Sequence, residues 1–305
     1  MSGKELSTHR RHSDSSAGEC YQRGREADDV RGFERRESVK PPDPYIIYWL
    51  EKNNFGGRKM LPIINYQMSV FGDYAAIIPE INLMTQLVNA PVDIQLLPSM
   101  ANVMSINMPI NDVANGQPKV LQRIQLIATT QQWNAVIMPD RIDVNFSQPV
   151  SDEVQDISQV SETTHKLIKH IVDVCEVKYG RMAINLAIAK PENEVKLNAF
   201  HNLLIRPLSF QSDKEIKEWK VIANTPTTFE LAEGQVEVIN VICSFSSQAE
   251  MAGSTKFLVA KLDVNTSPAD MTPRFNAVTL DEFKHKAISV ISNIIQEIEG
   301  MWENA

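Results

Sequence analysis

Between Leu61 and Asn265 the chain returns repeatedly to short runs rich in Val, Ile and aromatic residues, with apolar and polar positions alternating. That recurrence limits the fold more than any other feature. A period of two places one set of side chains on a buried sheet face and the other set on the opposite face. Strands are expected at Leu61–Phe71, Val92–Leu97, Val103–Met108, Val120–Ala128, Trp133–Met138, Ile142–Phe146 and Met182–Ile188. They resume at Trp219–Ala223, Gln235–Phe245 and Lys256–Asn265. Pro139-Asp140-Arg141 has the composition of a compact turn, so the strands on either side of it are expected to form a hairpin. The last two strands are expected to pair through Ser246–Ser254.

Helical periodicity interrupts the strands. Pro79–Val88 carries Ile81, Met84 and Leu87 on one face. Ser151–Cys175 spaces Val154, Ile157, Val160, Leu167, Ile168 and Ile171 at threes and fours, and its polar middle, Ser161-Glu-Thr-Thr164, reads as a break. Val195–Leu204 follows the same pattern. The closing helix begins with Thr279-Leu-Asp-Glu282, whose hydroxyl and carboxylate suit a capping box, and runs on through Leu280, Phe283, Ala287, Ile291, Ile298 and Trp302. Meanders separated by few helices predict an α+β fold of largely antiparallel sheets covered by helices. Each half runs strands, helix, strands, helix, which leaves open two similar α+β halves, although no repeat stands out in the sequence itself.

The expected organisation is a disordered tail at 1–40, a strand-rich part at 41–150 and a second α+β part at 151–305 ending in a long amphipathic helix. Only nine of the first 40 residues are apolar, too few to offset the entropy of ordering them. That tail carries nine basic and eight acidic residues, whereas 41–305 carries 21 basic against 30 acidic, a net of −9. A body this acidic repels phosphate backbones, so broad nucleic-acid binding is not expected. Three separated cysteines (Cys20, Cys175, Cys243) fit unpaired thiols in a reducing compartment. The stretch Ile94–Asn111 is uncharged but holds Pro98 and Pro109, and no run approaches the roughly 20 apolar residues of a membrane span. A cytoplasmic location is the expectation.

Arg123-Ile-Gln-Leu126, Trp133-Asn-Ala-Val-Ile-Met138, Asp140-Arg-Ile-Asp-Val-Asn-Phe146 and Gly180-Arg-Met-Ala183 follow one another in a distinctive order. Leu262-Asp-Val-Asn265, Leu280-Asp-Glu-Phe283 and an Ile-rich terminal helix come later. In this order the chain from Val120 onward resembles a sporadically distributed family of uncharacterised bacterial proteins of similar size. It departs from that family at Ala183-Ile-Asn-Leu186, where a Tyr-Asn-Arg signature is usual. The resemblance implies a fold, a bacterial origin and membership of a mobile-element or defence-type multi-gene system, and no chemistry.

Few residues have a spacing that would support catalysis. His165, His170 and Cys175 lie five apart, which turns them away from a shared helical face and reads as polar-face histidines with a core cysteine. A metal-dependent nuclease would use an Asp with an acidic-x-Lys pair, for which Asp140 with Glu176 and Lys178, or with Glu194 and Lys196, are the candidates. Their expected positions in a turn and at helix ends do not suit that role. Asn53–Lys59 lacks the Lys-Ser/Thr ending of a phosphate loop and reads as an exposed turn. Arg181 enters an apolar strand, where a buried guanidinium needs a carboxylate. Asp263 or Glu192 could form that structural ion pair. The twelve methionines are read as core filler.

With no cofactor loop and no convergent catalytic set, elimination leaves a non-enzymatic binding or assembly protein. It would act on a protein partner or a second copy through a sheet face or a strand edge such as that of Gln235–Phe245. No cofactor or metal is expected. A hydrolase using the carboxylates above, and a chaperone-like binder of unfolded chains, are the alternatives.

Overall fold

The computed structural model describes residues 62–105, 119–147, 156–191, 197–204, 219–248 and 257–304. The expected tail, the Asn53–Lys59 turn and Glu192, Glu194 and Lys196 lie outside these residues. The described strands are β1 (Ile63–Phe71), β2 (Leu96–Ser105), β3 (Lys119–Ala128), β4 (Trp133–Ile137), β5 (Arg141–Ser147), β6 (Arg181–Pro191), β7 (Lys220–Glu230), β8 (Val236–Gln248) and β9 (Phe257–Thr266). The described helices are α1 (Ile81–Val88), α2 (Ile157–Val174), α3 (Leu197–Leu204) and α4 (Ala277–Asn304). All nine strands join one sheet in the order β2-β3-β4-β5-β1-β6-β9-β8-β7, every neighbouring pair antiparallel. The fold is α+β, and both expected hairpins, β4–β5 and β8–β9, form.

Alternation decides which face each side chain joins. In β5, Ile142, Val144 and Phe146 are wholly buried, whereas Arg141, Asp143, Asn145 and Ser147 point to the other side. The register lines Trp133, Phe146, Tyr66, Leu186 and Leu262 into one apolar row across the sheet, and Ala135, Val144, Met68, Ile184 and Val264 into the next. Helices cover this side. The Tyr66 hydroxyl donates to Ser161 Oγ at 3.2 Å and the Trp133 indole to Thr164 Oγ1 at 3.3 Å, both on α2. Phe229 packs on Phe283 of α4, and Phe200 of α3 on Phe245, Trp219 and Trp302. Met68 and Met182 fill this core as expected, while Met100 is exposed.

Four expectations change. The Ser161–Thr164 segment does not break α2, because its buried hydroxyls face Tyr66 and Trp133 and so serve as hydrogen-bond partners for the sheet. Val92–Leu97 and Val103–Met108 are not separate strands, since β2 runs continuously from Leu96 through Pro98 to Ser105. That is tolerable because β2 lies at the sheet edge, where a missing amide costs no ladder bond. The Gln235–Phe245 segment is no free edge, for β8 is paired on both sides. Finally, α4 starts one turn early. Asn276 Oδ1 accepts from the Val278 and Thr279 amides, and Thr279 Oγ1 accepts from the Asn276 amide. Thr279 is therefore the third residue of the helix rather than its cap.

The topology reveals a repeat that hydropathy alone conceals. The first half runs β1, α1, a β2–β5 meander, then α2; the second runs β6, α3, a β7–β9 meander, then α4. The two halves meet where β1 pairs with β6, and Met68 sits opposite Ile184. A two-fold axis through that pair carries the β1–β5 register onto the β6–β9 register: Asp143, opposite Ser69, maps to Asp263, opposite Asn185. The sequence agrees, because Arg141-Ile-Asp-Val-Asn-Phe-Ser147 becomes Lys261-Leu-Asp-Val-Asn-Thr-Ser267. One strand further out, Asn134 maps to Asn240 and Val136 to Ile242.

Candidate binding surface on the polar face of the sheet

No described helix packs on the face opposite α2 and α4, and its side chains are polar through the middle of the sheet. Asn134, Asn145, Gln67, Asn185 and Asp263 stand abreast on β4, β5, β1, β6 and β9. The neighbouring row is Asp143, Ser69, Ala183, Asn265 and Asn240 on β5, β1, β6, β9 and β8. The two-fold axis exchanges these rows. Six of these ten side chains are half-buried, while Asn265, Asp143, Ser69 and Ala183 are buried.

The rows are held by their own hydrogen bonds. Asn145 Nδ2 donates to Asn134 Oδ1 at 3.1 Å, and at the two-fold equivalent Asn240 Nδ2 donates to Asn265 Oδ1 at 3.3 Å. Asn265 Nδ2 also donates to Asp263 Oδ1 at 2.8 Å. Ser69 Oγ and Arg141 Nε both donate to Asp143, each at 2.7 Å. Burial raises the Asp263 carboxyl above the usual range, while the Asn265 bond and the positive charge of Arg181 pull it back. An amide offers two donor hydrogens and an oxygen with two lone pairs. Asn134 and Asn145 keep donor and acceptor capacity beyond their shared bond, whereas buried Asn265 is committed to Asn240 and Asp263, and Asn240 Oδ1 also accepts from Asn224 Nδ2 at 3.5 Å.

Arg181 and Asp263 share this face but form no ion pair. The Arg181 guanidinium lies 4.6 Å from the centre of the Phe71 ring, on the strand next door, and its buried Nε has no hydrogen-bond partner. Cation–π stacking takes the place expected for the carboxylate. Asp140 is exposed in the β4–β5 turn, where its carbonyl accepts from the Gly72 amide at 3.1 Å. Glu176, at φ +50°, and Lys178 are exposed just after α2. The two turns reach the same end of the sheet, because Lys178 O lies 2.9 Å from where a Gly72 Cβ would stand. No ion pair or hydrogen bond joins their side chains, and no three His, Cys, Asp or Glu residues among those described are grouped to hold a metal.

His165 is not on a polar face. It is buried in the α2–α4 seam, its Nε2 2.9 Å from Asp281 Oδ1 but out of line for a hydrogen bond. His170 is half-buried against the Gln86 carbonyl, and burial raises the half-buried Cys175 thiol to about 11. None of the described helices is long and apolar enough to cross a membrane.

Of these rows, Asp263 is a candidate already in the sequence, read there as an ion-pair partner for Arg181; the pairing of the amides is not. Their signal is the Asp-Val-Asn-x-Ser repeat at Asp143 and Asp263. It becomes legible once the two strands occupy equivalent places in the sheet. Comparison of the chain with family models, curated proteins and solved structures finds no match.

Proposed function

We propose that this is a non-enzymatic binding protein of the assembly type, which holds a protein partner on the polar face of its sheet. One observation carries the reading: the Asn–Asn bond and its neighbouring Asp occur twice, at two-fold-related places, on a face that no described helix covers. Asn and Asp are among the residues least suited to strands, so sheet stability does not account for their concentration on the central strands. Fixed amides presenting donors and acceptors together give directional recognition of a polar surface at little entropic cost on binding. The face also carries both signs of charge, with Arg141, Arg181 and Lys261 beside Asp143 and Asp263, which suits a mixed-charge protein surface better than a polyanion.

The test is affinity purification of the tagged chain from its host, with mass measured by light scattering, alongside Asn134→Arg and Asn240→Arg. Both sites are half-buried and can take a long cation without entering the core. A stoichiometric protein partner retained by the wild type, weakened by either substitution and lost in the double variant, is the expected result. A partner retained by the double variant, or a wild-type monomer with no companion, would overturn the reading.

A further inference from the structure

The two-fold axis also relates two places on the helical side, and only one of them is filled. On β3, Ile124, Leu126 and Ala128 are each 1% exposed, and on β4 Ala135 and Ile137 are 2% exposed. Over β2 and β3 lies α1, packed beside α2, with Leu87 wholly buried and Leu83 and Met84 packed on the same core. The equivalents on β7 and β8 are Ala223, Thr225, Thr227, Val241 and Cys243. The three on β7 are exposed. With Val290, Ile294 and Ile298 of α4 they line an open groove of about 460 Å³. The second half's own short helix, α3, does not fill it. Its Phe200 is fixed against Trp219, Phe245 and Trp302 at one end.

We infer that this groove is a docking site for a short amphipathic helix of a partner protein, taking the place that α1 takes in the first half. The template is Ile81-Asn-Leu-Met-Thr-Gln-Leu-Val88, two turns with a Leu/Met stripe. The small, partly polar lining from β7 explains how the groove stays open in water and still accepts an apolar stripe. The first half keeps Ile and Leu at those strand positions and covers them permanently. The exposed carboxylate of Glu297 lines the groove and has no ion-pair partner among the described residues. The docking helix therefore carries a Lys or Arg beside its apolar stripe. Helix-in-groove recognition reads such anchors at three- and four-residue spacing.

The experiment uses the full chain and a lactam-locked helical peptide bearing the Ile81–Val88 apolar stripe with one Lys placed to meet Glu297. Fluorescence anisotropy reports binding, and the alkylation rate of Cys243, inside the groove, reports occupancy. Saturable binding is expected, with at least a tenfold slower Cys243 alkylation at saturation. Thr225→Arg, at an exposed site that leaves the core intact, should abolish binding, and Glu297→Lys should weaken it severalfold. Asn134→Arg on the opposite face should leave it unchanged, so failure here is distinguishable from failure of the sheet-face reading. No saturation, or saturation unaffected by Thr225→Arg, would overturn the inference. So would Cys243 already protected in the free wild type and released by Thr225→Arg, which would mean that the chain or a second copy fills its own groove.

Discussion

At single residues the fold depends on a few contacts with little tolerance. Gly180 stands just before β6 where the 270–275 loop crosses, and a Cβ there would lie 2.2 Å from Met271 O, a backbone atom that cannot swing aside. The loop is held by Arg274, which donates to the Gly180, Asp270 and Thr272 carbonyls and pairs with Glu237 on β8. Gly180→Ala is expected to cost about 2–4 kcal/mol, read as a lowered urea midpoint at unchanged slope. A midpoint equal to wild type would show that the loop moves freely. His165 gives the chain a pH dependence. Burial first, then the charge of Lys284, depress its pKa from 6.5 to about 4, against the opposing pull of Asp281 and Glu162. The unfolded state therefore binds the proton more readily. Stability is complete above pH 6.5 and falls as pH drops toward 4, by on the order of 2 kcal/mol after solvent screening. His165→Gln should flatten that window in denaturant titrations across pH. A further loss setting in below pH 4.5 should persist, because there the unfolded Glu162 takes up a proton that the folded carboxylate, held low by its hydrogen bond from Lys284, resists.

Among elements, the strands were legible because alternation is local: β1, β5, β6 and β9 each show apolar residues at every second position. What a strand's neighbours will be is not local. Nothing in Gln235–Phe245 says that β7 shields one side of it, and nothing in Ser161–Thr164 announces that a Tyr and a Trp from the sheet will take up its hydroxyls. The amide rows were hidden for the same reason, since Asn134 and Asn145 read as ordinary outward polar residues until pairing sets them 3.1 Å apart. The outer strand β7 offers a prediction about edges. Its pairing with β8 continues without a register shift through Pro226, so the imide nitrogen faces outward and leaves the middle of the exposed edge without a donor. Pro226→Val should restore that donor and raise concentration-dependent self-association in sedimentation, with little change in monomer stability. A variant as monomeric as wild type would show that the edge is protected by something other than Pro226.

For the whole molecule, the pseudo-symmetry explains why a division at residue 150 looks natural in sequence while the sheet crosses it without interruption. Each half repeats one plan of strand, helix, meander and helix, but neither half buries its first strand alone. β1 needs β6 on one side as β5 covers the other, and β6 likewise needs β1. Met68 and Ile184 sit opposite one another on the axis, both wholly buried, with α2 and α4 packed together above the same seam. Separating the halves would expose two central strands along their whole length, so the described unit should unfold cooperatively. Calorimetry is expected to show a single transition whose calorimetric and van't Hoff enthalpies agree. Met68→Ala and Ile184→Ala should each lower stability by about 2–5 kcal/mol, the range for emptying a buried large side chain. Hydrogen exchange should then speed up together in β5 and β9, one strand from the axis in opposite halves. If Met68→Ala loosened β5 while β9 kept its protection, the two halves would be independently stable domains that share only a ladder of backbone bonds.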